Sequence, residues 1–380
     1  MRSSSRSKSS AITAAPGTSE AAAVDALFGA AGLVRSSRRR QGGSIRLPHA
    51  PRLELAAAEE LAPAVPVPRR AANGVEWLPA PGWDFPWLWS GFSTRRGGLS
   101  RAYCAPAEPG QSDAPGLPAV AGELNVGFTA DDEREIVLAN RRLLAEAVTG
   151  DAATPIVALR QIHSNLVVEA KRADTGRDGP RRADGQITAE PGLLLAVQTA
   201  DCIPVLVADR RQRIVAAFHA GWRGTVKRIV ETGVGAMRLK YGSRPEDLMA
   251  AIGPGARACC YAVGEEVLTE FESQFVYARE LFHEVFSSDP IKTRYPMLFL
   301  TRRAPGHSAM GPSLHVDLVE ANRRQLLDAG LARRAIQIVG GCTQCQKELF
   351  FSHRGSQGHA GRMMAVIGVR EAAKTRARRR

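Results

Sequence analysis

The chain has 380 residues, of which 44% are hydrophobic, so it can bury a substantial core as one large domain or two ordinary ones. Its apolar runs are far shorter than the roughly 20 residues that a membrane-spanning helix needs, so we expect no membrane partner. Six cysteines without a signal peptide do not suit a disulfide scaffold, and they predict reduced thiols and a cytoplasmic location.

The net charge of +13 first suggests a nucleic-acid-binding protein, but the charge is concentrated at the two ends. Residues 1–52 and 370–380 together carry twelve of the thirteen net positive charges. These ends contain no aromatic residue that could stack on a base except Phe28. We therefore expect a nearly neutral folded part and no specific nucleic-acid partner.

The chain divides by composition into three segments. Residues 1–70 are rich in Ser, Ala, Arg and Pro, which predicts a disordered basic extension or linker. The scarcity of acidic residues at its start also fits an organellar targeting segment, and composition leaves both interpretations open. Residues 71–372 are predicted to form one folded domain, and residues 373–380 a basic tail.

Order is expected to begin near the stretch WLPAPGWDFPWLWSGFSTR, where four of the five tryptophans lie between residues 77 and 89. Such a density of tryptophans predicts that they lie in the hydrophobic core or in the wall of a pocket. The Pro-, Ala- and Gly-rich residues 105–122 that follow are typical of an exposed loop.

Beyond this loop, helical and strand patterns alternate, which predicts a mixed α/β fold. The predicted elements are a helix over 131–149, strands over 154–159, 192–198, 203–209 and 213–219, and a helix over 225–241. The last helix carries an apolar stripe formed by Val226, Ile229, Val230, Val234 and Met237.

Two polar residues interrupt these strands, and they point to a site. Cys202 lies in a break between two strands, and His219 lies at a strand-to-helix turn, where side chains emerge at a sheet edge. One interpretation is an inert buried thiol with a core histidine. A second is a Cys–His nucleophilic site, as in a hydrolase. A third adds His163, which also ends a strand, and gives a zinc site with one open position. Spacing alone leaves the three open.

Longer motifs resemble one known family. They are FSTRRGGLS (92–100), LNVG (124–127), LRQIHSNLV (159–167), QTADCIPVLVAD (198–209), HAGWRGT (219–225), AIGPGARACCYAVGEEV (251–267) and FFSHRGSQGHAGRMMAVIG (350–368). Together they are similar to the YfiH-type family, once labelled multicopper polyphenol oxidoreductases or laccase-domain proteins and now regarded as purine nucleoside phosphorylases. The resemblance implies a single layered α/β/β/α domain with mixed sheets over residues 71–372.

The resemblance also implies chemistry. Zinc would be held at His163, Cys202 and His219, and adenosine, inosine and methylthioadenosine would be cleaved by phosphate to free base and sugar phosphate. Adenosine deamination would accompany this reaction. The partners are thus a purine nucleoside and phosphate, whereas the oligomeric state stays open.

Catalytic and binding residues are assigned within the same motifs. Cys202, His219 and Arg95 are the predicted catalytic set. Predicted substrate-binding residues are Ser93, Arg95, Asn125 and Arg223, with the two guanidinium groups on phosphate or ribose oxygens, which they match with paired hydrogen bonds.

Other functions would suit some of the same residues. Two histidines and a cysteine also suit a copper site, but the eight histidines include no His-x-His pair of the kind a laccase uses, which makes copper less favoured than zinc. A non-enzymatic alternative makes the basic ends an adaptor for an acidic partner. Cys342 and Cys345 form a CxxC pair, which we interpret as local packing because no second CxxC or HxxxH pair supplies further ligands. Adjacent Cys259 and Cys260 stay ambiguous, and His315 is expected to start a helix.

Overall fold

The computed structural model describes residues 67–104, 122–175, 181–285 and 313–371. The predicted extension, apart from its last four residues, and the tail over 373–380 lie outside the described residues, as does nearly all of the predicted loop. The segmentation of the chain therefore stays a prediction.

Strands and helices alternate along these residues. In chain order the strands are β1 (Arg69–Arg70), β2 (Glu76–Leu78), β3 (Leu88–Ser93), β4 (Arg96–Gly98), β5 (Gly122–Glu123), β6 (Ile156–Ala158), β7 (Val167–Glu169), β8 (Gly185–Thr188), β9 (Leu194–Thr199), β10 (Ile203–Asp209), β11 (Ile214–Ala220), β12 (Leu248–Ile252), β13 (Ala262–Val263), β14 (Phe282–Val285), β15 (Ser313–Val316), β16 (Ile336–Ile338) and β17 (Met363–Val369). The α-helices are α1 (Arg134–Thr149), α2 (Trp222–Val226), α3 (Ile229–Tyr241), α4 (Glu265–Gln274) and α5 (Leu318–Asp328).

Two six-stranded sheets organise the fold. The first has the strand order β1-β2-β3-β17-β9-β6, and the second has the order β16-β12-β10-β11-β8-β7. Most neighbours are antiparallel, whereas β6 with β9, β7 with β8 and β12 with β16 are parallel. Both sheets are therefore mixed, as predicted.

The sheets pack face to face, because apolar residues alternate along their central strands. In β10, Leu206 and Ala208 join the cluster between the sheets, whereas Ile203, Val205 and Val207 face the opposite side. The central strands of the first sheet divide in the same way.

Helices cover both outer faces. Leu144 and Ala145 of α1 pack on the first sheet, in a cluster with Leu194 and Val366. Residues of α3, α4 and α5 pack on the outer face of the second sheet. The predicted α/β/β/α layering is thus confirmed.

Local boundaries differ slightly from the predictions. The predicted strand over 203–209 is observed with the same bounds, and the first predicted helix begins three residues late and ends at Gly150 in a left-handed conformation. The predicted helix over 225–241 is broken, because Arg228 has φ 60° and separates α2 from α3. The Arg228 guanidinium bonds to Glu231 and to the Gln274 carbonyl, which holds this break.

Three further expectations have an outcome in this part of the chain. The apolar stripe of the broken helix is buried as predicted. Trp83 is buried, and the other three clustered tryptophans pack against core clusters. His315 does not start a helix; it lies in β15, and Asp317 caps α5 by accepting from the Glu320 N–H. None of the helices in the described ranges has both the length and the apolar character to cross a membrane.

Candidate functional site

The three predicted ligands come from three separate segments of the chain. His163 lies in the turn after β6, Cys202 lies in the link from β9 to β10, and His219 is the penultimate residue of β11. Because β9 and β10 belong to different sheets, Cys202 lies where the chain crosses between the layers. The predicted positions of Cys202 between strands and His219 beside a strand-to-helix turn are confirmed.

The three side chains converge as the zinc interpretation requires. Their ligand atoms all lie within 4.8 Å of one another. Cys202 Sγ is 3.9 Å from His163 Nε2, and the two imidazole rings meet edge to face with centroids 4.9 Å apart. A tetrahedral zinc with ordinary bond lengths places sulfur and nitrogen ligands about 3.6 Å apart, so these residues fit the ion and leave a fourth position open.

Asp184, a residue that the sequence reasoning missed, organises this set. Its buried carboxylate accepts from His219 Nδ1 at 2.9 Å and from the backbone N–H groups of His163 at 2.9 Å and Ser164 at 2.7 Å. Ser164 Oγ donates to it as well. One carboxylate therefore orients both histidines, and it leaves Nε2 of His219 directed to the site, as in carboxylate–histidine–metal sites. The signal in the sequence was an acidic residue directly before a buried strand.

The electrostatics of the cluster favour a thiolate. Burial opposes ionisation of Cys202, but the charge of His219 and hydrogen bonds from both histidines outweigh it and lower the pKa of Cys202 to about 6. Burial also disfavours the charged form of His219, yet Cys202 and Asp184 raise its pKa to about 9. Burial raises the pKa of Asp184, but hydrogen bonds from His219 and Ser164 outweigh this effect and hold the pKa well below its usual range. Near neutral pH the thiol is thus ready to bind a metal or to act as a nucleophile.

The backbone around the ligands is tightly constrained. A side chain at Gly221 would place its Cβ 2.9 Å from Cys202 Sγ and 3.0 Å from His163 Cδ2, so it would displace these two side chains. Asp201 has φ 98°, and its carboxylate accepts from Thr343, Ser352 and the Arg354 N–H. This network fixes the link that carries Cys202.

A cavity of about 460 Å³ opens on the cluster, within the range of about 300–1,000 Å³ that is typical of ligand sites. Its lining is formed by Phe128, Thr129, Leu159, Gln161, His163, Gln198, Thr199, Ala200, Cys202, His219, His353 and Arg362. The wall thus combines one aromatic ring, two amides and one guanidinium with the three ligands.

Four predicted binding residues are not among those that line this cavity in the described part of the chain. Arg95 donates to Glu123 at 2.8 Å and to the carbonyls of Lys347 and Tyr103, and its guanidinium lies 4.7 Å from the Phe351 ring centroid. Ser93 Oγ accepts from the Met364 N–H. These contacts connect chain segments.

Asn125 and Arg223 have different surroundings. Asn125 is buried, and its Oδ1 accepts from the N–H groups of Gly127 and Arg362, so it positions the guanidinium-bearing residue of the wall. Arg223 is exposed and stacks on Trp222 at 4.3 Å. The substrate-binding roles of these four residues stay predictions.

Several cavity residues were not singled out from the sequence, among them Phe128, Gln161, Gln198 and Arg362. The side-chain amide of Gln161 donates to the Gln198 carbonyl at 2.7 Å and accepts from the Gln198 N–H at 2.8 Å. Arg362 lies directly before β17. Gln161 lies two residues before His163, which is the one local signal. Gln198 and Arg362 reach the cavity only because β9 and β17 are neighbours in the sheet.

Comparison with known proteins adds a family and named relatives. The model of a family described as multi-copper polyphenol oxidoreductase laccase matches residues 90–370. The purine nucleoside phosphorylase YlmD of Bacillus subtilis is 32% identical over 289 residues, which cover 74% of this chain and 89% of that protein. A purine nucleoside phosphorylase of Deinococcus radiodurans is 35% identical over 78% of this chain and 94% of its own length.

One relative has a different name, and a solved structure supports the fold. The adenosine deaminase RL5, from an unknown prokaryotic organism, is 32% identical over 68% of this chain and 90% of that protein. The crystal structure of YlmD from Geobacillus stearothermophilus matches with a TM-score of 0.61 at 30% identity and covers 80% of this chain and all of the other.

Proposed function

The chain belongs to the multi-copper polyphenol oxidoreductase laccase family, and on that premise we propose that it is a zinc-dependent purine nucleoside phosphorylase of the cytoplasm. Its substrates would be adenosine, inosine and methylthioadenosine, which phosphate would convert to free base and sugar 1-phosphate. Relatives named purine nucleoside phosphorylase support the reaction class.

One observation carries the proposal. A buried carboxylate, Asp184, orients His219 and the turn of His163 around the Cys202 thiol, and this group forms part of a cavity of nucleoside size. Such a preorganised donor set at the base of a polar cavity is expected for a site that binds a metal and a small polar substrate.

His163, Cys202 and His219 are the residues that would hold the metal. Bound there, zinc would supply Lewis-acid polarisation of a substrate oxygen. The thiolate form of Cys202 suits this role, because thiolate rather than thiol is the metal ligand.

The cavity wall supplies groups for both substrates. In phosphorolysis a phosphate oxygen bonds to the ribose anomeric carbon while the bond from that carbon to the purine breaks, and the electrons leave with the base, which takes up a proton. Arg362 is the guanidinium that would hold the phosphate. His353 is the wall residue that can supply the proton.

Two further residues of the cavity wall would recognise the purine. Phe128 has 47% of its surface exposed, and it would contact the base with the part of its ring that the guanidinium groups of Arg134 and Arg141 leave uncovered. The Gln198 amide carries a donor and an acceptor suited to a purine edge. The relative named adenosine deaminase supports a companion deaminase activity, which the same cavity would host.

The test uses the full chain with metal analysis and a product assay. Purified protein is analysed for zinc and copper and then incubated with adenosine or inosine, with and without phosphate. We expect bound zinc and phosphate-dependent release of adenine or hypoxanthine, and Cys202→Ala should lose this release and bind less zinc than the wild type. Cys104→Ser is the control, because this thiol lies outside the site.

Two other enzymatic functions would give different results. A copper-dependent polyphenol oxidoreductase would contain copper, oxidise phenols and release no base. A Cys–His hydrolase is favoured by the same low thiol pKa, and its activity would survive a chelator but not thiol alkylation. Either outcome would contradict the phosphorylase proposal.

A further inference from the structure

A second cluster of metal-binding side chains lies outside the proposed active site. It is formed by Cys259 and Cys260 in the turn after β12 and by Cys342 and Cys345 in the turn after β16. Strands β12 and β16 are parallel neighbours, so their carboxyl ends lie at the same edge of the sheet. This pairing brings together cysteines that are 85 residues apart in sequence.

Cys342 and Cys345 were interpreted as local packing because no second CxxC or HxxxH pair supplies further ligands. The structure instead places the adjacent pair Cys259 and Cys260 beside them. Cys260 Sγ is 3.3 Å and Cys259 Sγ is 3.5 Å from Cys345 Sγ. All four sulfur atoms lie within 4.8 Å of one another.

These separations match a tetrahedral metal. With zinc–sulfur bonds of about 2.3 Å, the edges of a four-thiolate tetrahedron are about 3.8 Å. A set of four thiolates selects zinc or iron rather than a hard cation. Cys342 is buried, whereas Cys259 and Cys345 are exposed, so an ion can enter from solvent. Free cysteines are usually buried, and an exposed thiol is not stabilised by packing. The exposure of Cys259 and Cys345 therefore disfavours a role in packing alone.

The surroundings of the cluster also fit a charged site. The Arg257 guanidinium donates to the carbonyl of Gly340, two residues before Cys342, and lies near enough to Cys342 and Cys259 to interact electrostatically with both. This nearby cation would offset part of the two excess negative charges of a four-thiolate zinc site.

We propose that Cys259, Cys260, Cys342 and Cys345 bind a structural zinc ion that joins the turn after β12 to the turn after β16. Because all four positions would be filled by protein, this ion would take no part in catalysis.

The proposed ion would also support the active site. The Ala256 N–H donates to the Asp201 carbonyl at 2.8 Å, and Thr343 Oγ1 donates to its carboxylate at 2.7 Å. The two joined turns thus hold the residue directly before Cys202 from both sides.

The test counts zinc in the full-length protein. We expect two zinc ions per chain in the wild type, one in Cys345→Ser, one in His163→Ala, and none in the double variant. Cys104→Ser should keep two. Because Cys345 is exposed, its replacement by serine should leave a folded chain, which circular dichroism checks.

A second readout follows the thiols themselves. Zinc should protect Cys259, Cys260 and Cys345 from alkylation by iodoacetamide, and a chelator should remove that protection, as peptide mass spectrometry would detect. Cobalt substitution should give thiolate charge-transfer absorption that falls by more than half in Cys345→Ser.

The outcomes separate this site from the active site. A wild type with a single zinc that only His163→Ala removes would overturn the proposal, as would equal alkylation with and without zinc, or disulfides in place of metal. If Cys345→Ser loses zinc while His163→Ala does not, the four-cysteine site stands and the zinc of the proposed function fails.

Discussion

Substitution of Asp184 tests whether this residue orients His219 for zinc binding or only stabilises the fold. Asp184→Asn removes the negative acceptor of His219 Nδ1, so we expect a loss of zinc affinity of about 10- to 100-fold. Chelator competition measures this affinity, and thermal unfolding reports the accompanying loss of stability.

The matched control is Asp209→Asn. Asp209 is equally buried and caps the turn after β10 by accepting from the Arg211 and Gln212 N–H groups, and among the described residues it has no hydrogen bond to a histidine. It should lower stability and leave zinc affinity unchanged. If both variants weaken zinc binding alike, the proposal that Asp184 orients His219 for the metal is wrong.

Substitutions of Arg362 and Arg95 are expected to have different effects, the first on phosphate binding and the second on stability. Arg362→Met should raise the KM for phosphate about 10- to 100-fold, because a hydrogen bond to a charged group contributes about 1.5–3 kcal/mol. Arg95→Met should instead destabilise the fold by about 1–3 kcal/mol, because it breaks the contacts with Glu123, Lys347 and Tyr103. Initial rates at varied phosphate and urea denaturation distinguish the two effects. A raised phosphate KM in a stable Arg95 variant would restore the binding role that the sequence predicted.

At the scale of elements, helix α3 offers two glycines with opposite environments. A Cβ at Gly233 would lie 2.1 Å from the Phe218 ring, whereas a Cβ at Gly235 meets nothing within 4 Å. Gly233→Ala should therefore lower the free energy of unfolding by about 1–3 kcal/mol through overpacking. Gly235→Ala should raise it by about 0.5–1 kcal/mol by restricting the unfolded chain. Urea denaturation tests both, and equal effects would show that α3 does not pack on β11 as described.

Element positions were predictable where a local pattern repeats. The strand over 203–209 and the buried stripe of α2 and α3 follow from apolar periodicity, which local sequence carries. The break at Arg228 was not predicted, because it depends on contacts with α4 and the residues after it. His315 was misassigned for a similar reason, since its strand exists only through pairing with β13 and β14.

At the scale of the whole molecule, the net positive charge lies almost entirely at the two ends of the chain, and this leads to a prediction. A chain reduced to residues 67–371 should keep its phosphorolysis rate within about twofold, because the proposed site lies in the described residues. It should lose salt-sensitive retention on heparin or RNA, because counterion release scales with the number of cationic contacts. Comparison with the full chain on a salt gradient measures this. If the shortened chain were retained on heparin or RNA as strongly as the full chain, the cationic contacts would lie in residues 67–371 instead.

The sequence by itself determined a mixed α/β fold, because periodicity is a local property of the chain. Its motifs also carried the resemblance to a family, which implied the layered arrangement and the meeting of His163, Cys202 and His219. Only the tertiary structure decided that Asp184 orients both histidines, that Arg362 and Gln198 reach the cavity, and that four cysteines meet. Each of these depends on strands that are distant in sequence and adjacent in a sheet, as β9 and β17 or β12 and β16 are. Sequence patterns identify a strand, but the choice of its neighbour follows from the packing of the whole core.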